Sequence, residues 1–286
     1  MAQILIDGCV LAASYALIAL GITLIFSIMR LLNFAHGELF MIGAFMVYYV
    51  YGAWHLPFAV GLLVAALVPA LIGAGFEKFL FRRVMRIATR EENTMLLAVG
   101  TAILLDNVAL FLFGEEQHGV PETISGVLQI EGGFLPYQRL LVVVMSLVLI
   151  ALLLLFVQYS RPGRAMRALA QDRDAALLMG VDVDRTSMLG FAIGAGLAGL
   201  AGGLLVTIQG VNAGIGVDIS IKAFIMIMIG GAGVVSGALL GALVLGFAES
   251  VGYALLPGSE TYLLIFVALV LFLIVRPQGI MGHPWG

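Results

Sequence analysis

Residues 140–157 read LLVVVMSLVLIALLLLFV, a run of 18 residues without a charge. A helix needs about 20 mostly apolar residues to cross the hydrocarbon core of a bilayer, so a segment centred on this run can span a membrane. The rest of the chain has the same character. Of its 286 residues 62% are hydrophobic and 11% are charged, whereas soluble domains have roughly 25% charged residues. This composition excludes a soluble enzyme, a nucleic-acid-binding protein and a disordered protein.

Apolar runs of this kind recur along the chain and predict an all-α, polytopic membrane protein that forms a single domain over 1–286. A shorter run at 220–231 is interrupted by glycines. We expect it to be a half-helix or a re-entrant segment, because protein or water must satisfy the freed backbone groups. The eight full spans are predicted at 4–29, 36–54, 57–81, 94–113, 138–159, 186–209, 236–256 and 261–275.

The charged residues predict the orientation, because Lys and Arg near span ends favour the cytoplasmic side. The segments 78–92 and 160–185 contain Lys78 and nine arginines, among them Arg90, and Arg30 and Arg276 fall on the same side. The loop 114–137 lies opposite and contains four glutamates, among them Glu131, with no Lys or Arg. We therefore predict a cytoplasmic C-terminus and a periplasmic N-terminus, and leave the path of 210–236 open.

The segment 163–180 reads GRAMRALAQDRDAALLMG. Its apolar residues recur with helical spacing among charges, and Gly180 is a good helix stop. One interpretation is one or two interfacial helices that lie on lipid, with arginines on phosphates. The other is a docking element for a cytoplasmic partner.

Three blocks of sequence carry a family resemblance. Asp174-Ala175-Ala176-x-x-x-Gly180 resembles the EAA-x-x-x-G loop of ABC importer permeases, with Asp in place of Glu. The stretches 32–44 (LNFAHGELFMIGA) and 229–241 (IGGAGVVSGALLG) are similar to the LivH-type permeases of branched-chain amino acid transporters. The similarity extends over essentially the whole chain.

The resemblance implies a permease subunit in the bacterial inner membrane, with 163–180 as the coupling helix that contacts an ATP-binding subunit. It further implies a second homologous permease, two ATP-binding subunits that hold ATP and Mg, and a periplasmic binding protein that delivers branched-chain or related hydrophobic amino acids. Similar subunits serve urea, short amides and small carboxylates. The residues implied in coupling are Arg164, Arg167, Asp172, Asp174, Ala175, Ala176 and Gly180.

An independent observation agrees that the energy comes from a partner. A phosphate-binding loop reads G-x-x-x-x-G-K-[ST], and neither lysine of the chain, Lys78 or Lys222, occurs in such a motif. No nucleophile–base set and no metal-ligand spacing is evident in the sequence. We therefore expect no catalysis, no metal and no cofactor on this chain.

Polar residues between the first two spans are candidates for the translocation pathway: Asn33, His36, Gly37 and Glu38. They suggest either a break that lines a cavity, or a capping cluster with Glu38 at the positive helix end. The two interpretations are compatible. His36 and Glu38 would point about 200° apart on a regular helix. The glycines Gly230, Gly231 and Gly233 are further pathway candidates.

Asp106, Asn107 and Glu249 fall at membrane depth, where charged groups are costly and need a reason. A self-sufficient secondary transporter would use such acids for ion coupling. The other explanation is hydrogen bonding between helices. We favour hydrogen bonding, because no intramembrane base is evident beside these acids.

Overall fold

The structure is a computed structural model that describes residues 1–87, 92–130 and 133–282. Arg90 and Glu131 lie outside the described residues. Almost all secondary structure is helical. The helices are α1 Ala2–Met29, α2 His36–Val47, α3 Phe58–Gly75, α4 Arg82–Ile87, α5 Glu92–Phe113, α6 Tyr137–Tyr159, α7 Arg161–Gln171, α8 Arg173–Leu178, α9 Val183–Gln209, α10 Ile215–Gly230, α11 Val235–Leu255 and α12 Gly258–Val275.

Within the described residues, seven helices are long and apolar enough to cross a membrane. They match seven of the predicted spans. The eighth, 36–54, is a continuous helix in which a π-helical segment, Tyr48–Ala53, extends α2, and its polar start lowers its hydropathy. The prediction of a polytopic all-α protein is confirmed. The seven are Ala2–Met29, Phe58–Ile87, Asn93–Phe113, Tyr137–Tyr159, Val183–Gln209, Val235–Leu255 and Gly258–Val275.

Helices α1 and α9 form the centre of the bundle. Helix α1 packs against α6, α9 and α11, and α9 packs against α2 and α3. Small residues permit these close approaches: a Cβ at Gly43 would overlap the backbone of Gly199, and one at Gly202 would overlap the Phe40 carbonyl oxygen. Backbones that approach through small residues are the usual packing mode of membrane helices. The outer helices α5, α6 and α12 leave broad apolar faces uncovered, as lipid or a second subunit requires.

Helix α10 defines the course of the chain over 210–236, which the sequence left open. At its start, His118 and Val211 exchange backbone hydrogen bonds of 2.8 Å, which places this end beside the acidic loop. At its end, Met281 N–H donates to the Gly230 carbonyl oxygen at 2.9 Å, which places that end beside the C-terminal segment. The helix therefore runs from one side of the bundle to the other, so 220–231 belongs to a continuous short helix and not to a re-entrant segment. Its 16 residues span about 24 Å, shorter than the roughly 30 Å hydrocarbon core.

The acidic loop contains a β-hairpin that was not predicted from the sequence. Strands β1 (Val127–Ile130) and β2 (Gly133–Pro136) pair antiparallel. The Phe134 N–H donates to Gln3 Oε1 at 2.9 Å, so the hairpin lies over the start of α1. The N-terminus and the acidic loop therefore share one side, as predicted from the charges.

Candidate functional site

The predicted break between the first two spans is present. Helix α1 ends at Met29, the next residue, Arg30, has a left-handed φ of 53°, and α2 begins at His36. Between them, Asn33 Oδ1 accepts a hydrogen bond from the Ala35 N–H at 3.2 Å. Asn33 therefore satisfies one backbone group at the interruption, but the N-cap of α2 is Ala35 and no side chain caps the helix.

His36 and Glu38 point to different helices, as their spacing predicts. His36 Nε2 lies 3.2 Å from the Ile18 carbonyl oxygen of α1. The Glu38 carboxylate instead lies against Gly216 of α10, where a Cβ would overlap it. Both side chains are 0% exposed. The first turn of α2 therefore contributes polar groups to two separate helix interfaces.

Gly37 fixes the contact between α2 and α10. Its N–H donates to Ser220 Oγ at 2.9 Å, and that hydroxyl donates to the Phe34 carbonyl oxygen at 2.8 Å. A Cβ at Gly37 would overlap the Gly216 carbonyl oxygen. The two backbones touch here, so a glycine is required by the close approach.

A groove of about 250 Å³ lies beside this contact, between α2, α5 and α10. Its walls are mostly apolar, and Phe34 and Phe224 form a ring pair along it with centroids 4.5 Å apart. Glu38 and Asp106 bring two carboxylates to it. Asp106 is half-buried, whereas neither oxygen of Glu38 has a hydrogen-bond partner among the described residues. We call this cavity the Glu38 groove; Ser220 and Ile221 also line it.

The intramembrane polar residue Asn107 and the pathway candidates Gly230, Gly231 and Gly233 lie elsewhere. Asn107 is exposed, and its Nδ2 donates to the Ile103 carbonyl oxygen one turn earlier at 2.8 Å. Gly230, Gly231 and Gly233 lie at the far end of α10, in the turn to α11. Gly231 and Gly233 have φ of 109° and 83°, values that favour glycine. These residues do not line the Glu38 groove.

The sequence analysis missed a base inside the bundle. Lys222 Nζ of α10 lies 3.0 Å from Glu249 Oε1 of α11, so the expectation that no intramembrane base accompanies the acids was wrong for Glu249. Lys222 also donates to the Tyr15 hydroxyl at 2.7 Å, and that hydroxyl donates to Glu249. The ammonium lies 4.9 Å from the ring centroid of Tyr262 on α12. One signal pointed here: Lys222 is a lone lysine within an apolar run.

A second cavity, of about 240 Å³, opens at the start of α10 beside the acidic loop. Its lining is polar and includes Gln117, Asn212, Asp218 and Lys222. Asp218 and Lys222 line this cleft, whereas Ser220 and Ile221 line the Glu38 groove. Two different faces of α10 therefore border cavities.

The predicted coupling segment, 163–180, forms two short helices, α7 and α8. The apolar side of α7, with Met166 and Leu169 buried, packs on the bundle's own α1, α6 and α9. Asp172 caps α8, because its Oδ1 accepts hydrogen bonds of 2.9 Å from the N–H groups of Asp174 and Ala175. Gly180 follows α8 with φ of 84°, as a helix stop requires. The segment is therefore fixed to the bundle by α7 and presents α8 outward.

The outer end of α8 is an apolar patch that the sequence analysis did not single out. Leu177, Leu178 and Met179 are 59%, 87% and 84% exposed. Of the predicted coupling residues, Ala176 is buried and Asp172 is engaged as a cap, so both support the segment from within. The others are exposed: Arg164, Arg167, Asp174, Ala175 and Gly180.

An ion-pair network connects the start of α9, which follows this segment, to the third span. The third span ends in a π-helical segment, Phe76–Phe81, which brings residues five apart to one face. Arg82 there pairs with Glu77, which is only 2% exposed, and its Nη2 donates to the Asp184 carbonyl oxygen at 3.0 Å. Arg86 pairs with the Asp184 carboxylate. Arg82 and Arg86, which the sequence indicated only as signs of membrane orientation, therefore connect α3 and α4 to the start of α9.

Comparison with known proteins gives a consistent result. The sequence profile of the family described as branched-chain amino acid transport system / permease component matches residues 4–275. The high-affinity branched-chain amino acid permease protein LivH of Escherichia coli K12 is 34% identical, over 99% of this chain and 96% of LivH. BraD of Pseudomonas aeruginosa is 33% identical over 99% of this chain and 96% of its own length.

LivM of Escherichia coli, a second permease protein of the same description, is 27% identical over 96% of this chain and 69% of its own length. No solved structure matches the chain. The profile match begins in α1 and runs to the end of α12, so it covers the whole helical bundle. The chain belongs to the family of branched-chain amino acid transport system permease components.

Proposed function

We propose that the chain is the LivH-type permease subunit of an ATP-binding-cassette importer for branched-chain or related hydrophobic amino acids. The observation that carries the proposal is the apolar patch of Leu177, Leu178 and Met179 on α8. An exposed apolar patch is typical of a protein-docking site. It lies within the segment that matches the coupling-loop pattern, and family membership supports the transport role.

The proposed complex contains a second homologous permease, two ATP-binding subunits and a periplasmic binding protein in the bacterial inner membrane. The similarity of the chain to both LivH and LivM supports a pair of related permeases. In this arrangement ATP and Mg are bound by the ATP-binding subunits, and the permease itself binds no nucleotide or cofactor. The N-terminus is periplasmic and the C-terminus cytoplasmic, an assignment supported by the basic residues around α4, α7 and α8.

Coupling follows from the contacts of the segment 163–180. Closure of the ATP-binding pair would press on α8, and α7 would transmit the displacement to α1, α6 and α9, on which it packs. The Arg82–Asp184 contact would carry the same displacement to the third span. Movement of these helices against α10 would open the cavities beside α10 to one side of the membrane at a time.

The runner-up within the family is a permease for urea, short amides or small carboxylates. The runner-up of a different class is a self-sufficient secondary transporter driven by an ion gradient, and the buried carboxylate of Glu38 is the observation that favours it. Glu249 gives that alternative less support, because Lys222 pairs with it. An ion-driven protein would transport without ATP-binding subunits.

Co-purification tests the coupling assignment. The double variant Asp174→Ala and Gly180→Val should lose the ATP-binding subunits and still insert in the membrane. Glu122→Ala, exposed on the opposite side of the bundle, is the control and should keep them. Assembly and transport at normal levels in the double variant would show that this segment is not the coupling element.

A further inference from the structure

We propose that the Glu38 groove is the substrate site within this permease, with Glu38 and Asp106 binding the α-ammonium group and the apolar walls taking the aliphatic side chain. The inference rests on the proposed function, because it takes an amino acid as the cargo. It adds that the site recognises its cargo by a positively charged group beside an aliphatic chain.

The buried carboxylate of Glu38 lacks a hydrogen-bond partner and a counter-charge in the part of the chain that the structure describes. Its side chain is 0% exposed, and neither carboxylate oxygen has a hydrogen-bond partner among the described residues. A buried charge without a partner is costly, and a buried polar group is normally hydrogen-bonded. An ammonium group supplies both missing elements, since it donates three hydrogen bonds and carries the opposite charge. A small opening of the groove wall would let it reach the carboxylate.

The charged side chains in the described lining of the Glu38 groove are both acidic. Asp106 lies close enough to Glu38 to interact with it electrostatically, and both line the groove. The described lining contains no Lys or Arg. Lys222 is on the same helix, but it pairs with Glu249 and lines the other cleft. Two carboxylates without a base favour a cationic group, repel a carboxylate ligand and gain no charge pairing from urea or an amide.

The size and the polarity of the groove also fit an aliphatic amino acid. The groove holds about 250 Å³, which is room for roughly eight waters at about 30 Å³ each and matches one small aliphatic amino acid. Ile221, Phe34 and Phe224 provide apolar surface next to the carboxylates. The α-carboxylate of the ligand is left at the open side of the groove, beside the exposed residues Val217 and Ile221.

Cysteine protection tests the site in the assembled complex. The native Cys9 is replaced by Ser, and Ile221→Cys provides a reporter thiol that lines the groove. Maleimide labelling is then timed with leucine, 3-methylbutylamine or 4-methylpentanoate present. Leucine and the amine should slow labelling, and the carboxylate should not.

The variants make the test specific. Glu38→Gln keeps the shape of the side chain and removes its charge, and should raise the amine concentration needed for protection about tenfold or more. Asp106→Asn should do the same to a smaller extent. Asp218→Asn, on α10 but lining the other cleft, is the matched control and should protect as the parent does.

Several outcomes would overturn the proposal. These are equal protection by the carboxylate, protection by K⁺ as good as that by the amine, unchanged protection in Glu38→Gln, or no protection by any probe. ATP-dependent leucine uptake by the same complex is measured separately. Protection by the amine without ATP-dependent uptake would support the proposed substrate site and contradict the proposed importer function. ATP-dependent uptake without protection would support the importer function and contradict the substrate site.

Discussion

Lys222 and Glu249 form an ion pair inside the helix bundle, with Lys222 Nζ 3.0 Å from Glu249 Oε1. The pair joins α10 to α11, and Tyr15 connects both to the central helix α1. Two faces of α10 border the cavities, so this contact fixes the position of the helix on which the proposed site depends. We interpret Glu249 as a structural residue.

Removing one member of this pair should destabilise the protein strongly. Glu249→Gln leaves the Lys222 ammonium without a counter-charge, and breaking a buried pair in this way costs about 3–5 kcal/mol. Thermal unfolding of the purified chain measures the loss. The double variant Lys222→Met, Glu249→Leu should recover most of it, because neither charge is then left alone. A double variant as unstable as the sum of the two single ones would contradict this role.

The contact between α2 and α10 predicts a glycine effect. Gly37→Ala should destabilise the protein by about 1–3 kcal/mol or prevent folding, because the new methyl group overlaps the Gly216 carbonyl oxygen. Gly100→Ala on α5 is the matched control, since a Cβ there meets open space. In a helix interior alanine is favoured over glycine by roughly 0.5–1 kcal/mol, so the control should be neutral or stabilising. Equal loss of thermal stability in both variants would argue against the observed packing.

The network at the end of the third span contains a buried ion pair, Glu77–Arg82, and an exposed ion pair, Arg86–Asp184. Arg82→Gln should cost about 3–5 kcal/mol, because it leaves Glu77, 2% exposed, without its partner. Arg86→Gln breaks a pair whose arginine is 67% exposed, and such surface pairs contribute about 0–1 kcal/mol. Unfolding of the two variants side by side provides the measurement. The network would be misassigned if Arg86→Gln proved the more damaging change.

The apolar patch on α8 predicts an assembly defect without a folding defect. Leu178→Glu places a charge at a position that is 87% exposed, so the isolated chain should unfold as the parent does. Its association with the ATP-binding subunits should weaken at least about tenfold, since the charge must be buried in the interface. Pull-down with tagged ATP-binding subunits measures this, and Gln171→Glu at the exposed end of α7 is the control. Retained association in Leu178→Glu would place the docking surface elsewhere.

The sequence predicted the helices well, because membrane spans follow from apolar length alone. It also predicted the break at Asn33 and the divergence of His36 and Glu38, which depend on helical periodicity within a few residues. The paired short helices of 163–180 followed from local turn and capping residues such as Gly180. Each of these features is determined by neighbours along the chain.

Two of the missed features depend on contacts between distant segments. Lys222 and Glu249 are 27 residues apart and meet across two helices. The Glu38 groove needs α2, α5 and α10 together, so Asp106 and Glu38 could only be identified separately from sequence. The pairing of Glu77 with Arg82 depends on a π-helical turn, which the apolar pattern did not predict. The exposure of Leu177, Leu178 and Met179 was likewise invisible in a pattern that treats apolar residues as buried.

We expect this permease to transport only when ATP-binding subunits drive it. Leucine uptake by proteoliposomes tests it, with the chain reconstituted either alone or with its second permease, the ATP-binding subunits and the binding protein. We predict ATP-dependent uptake by the full complex and none by the chain alone under an imposed proton or sodium gradient. Gradient-driven uptake by the single chain would contradict the account.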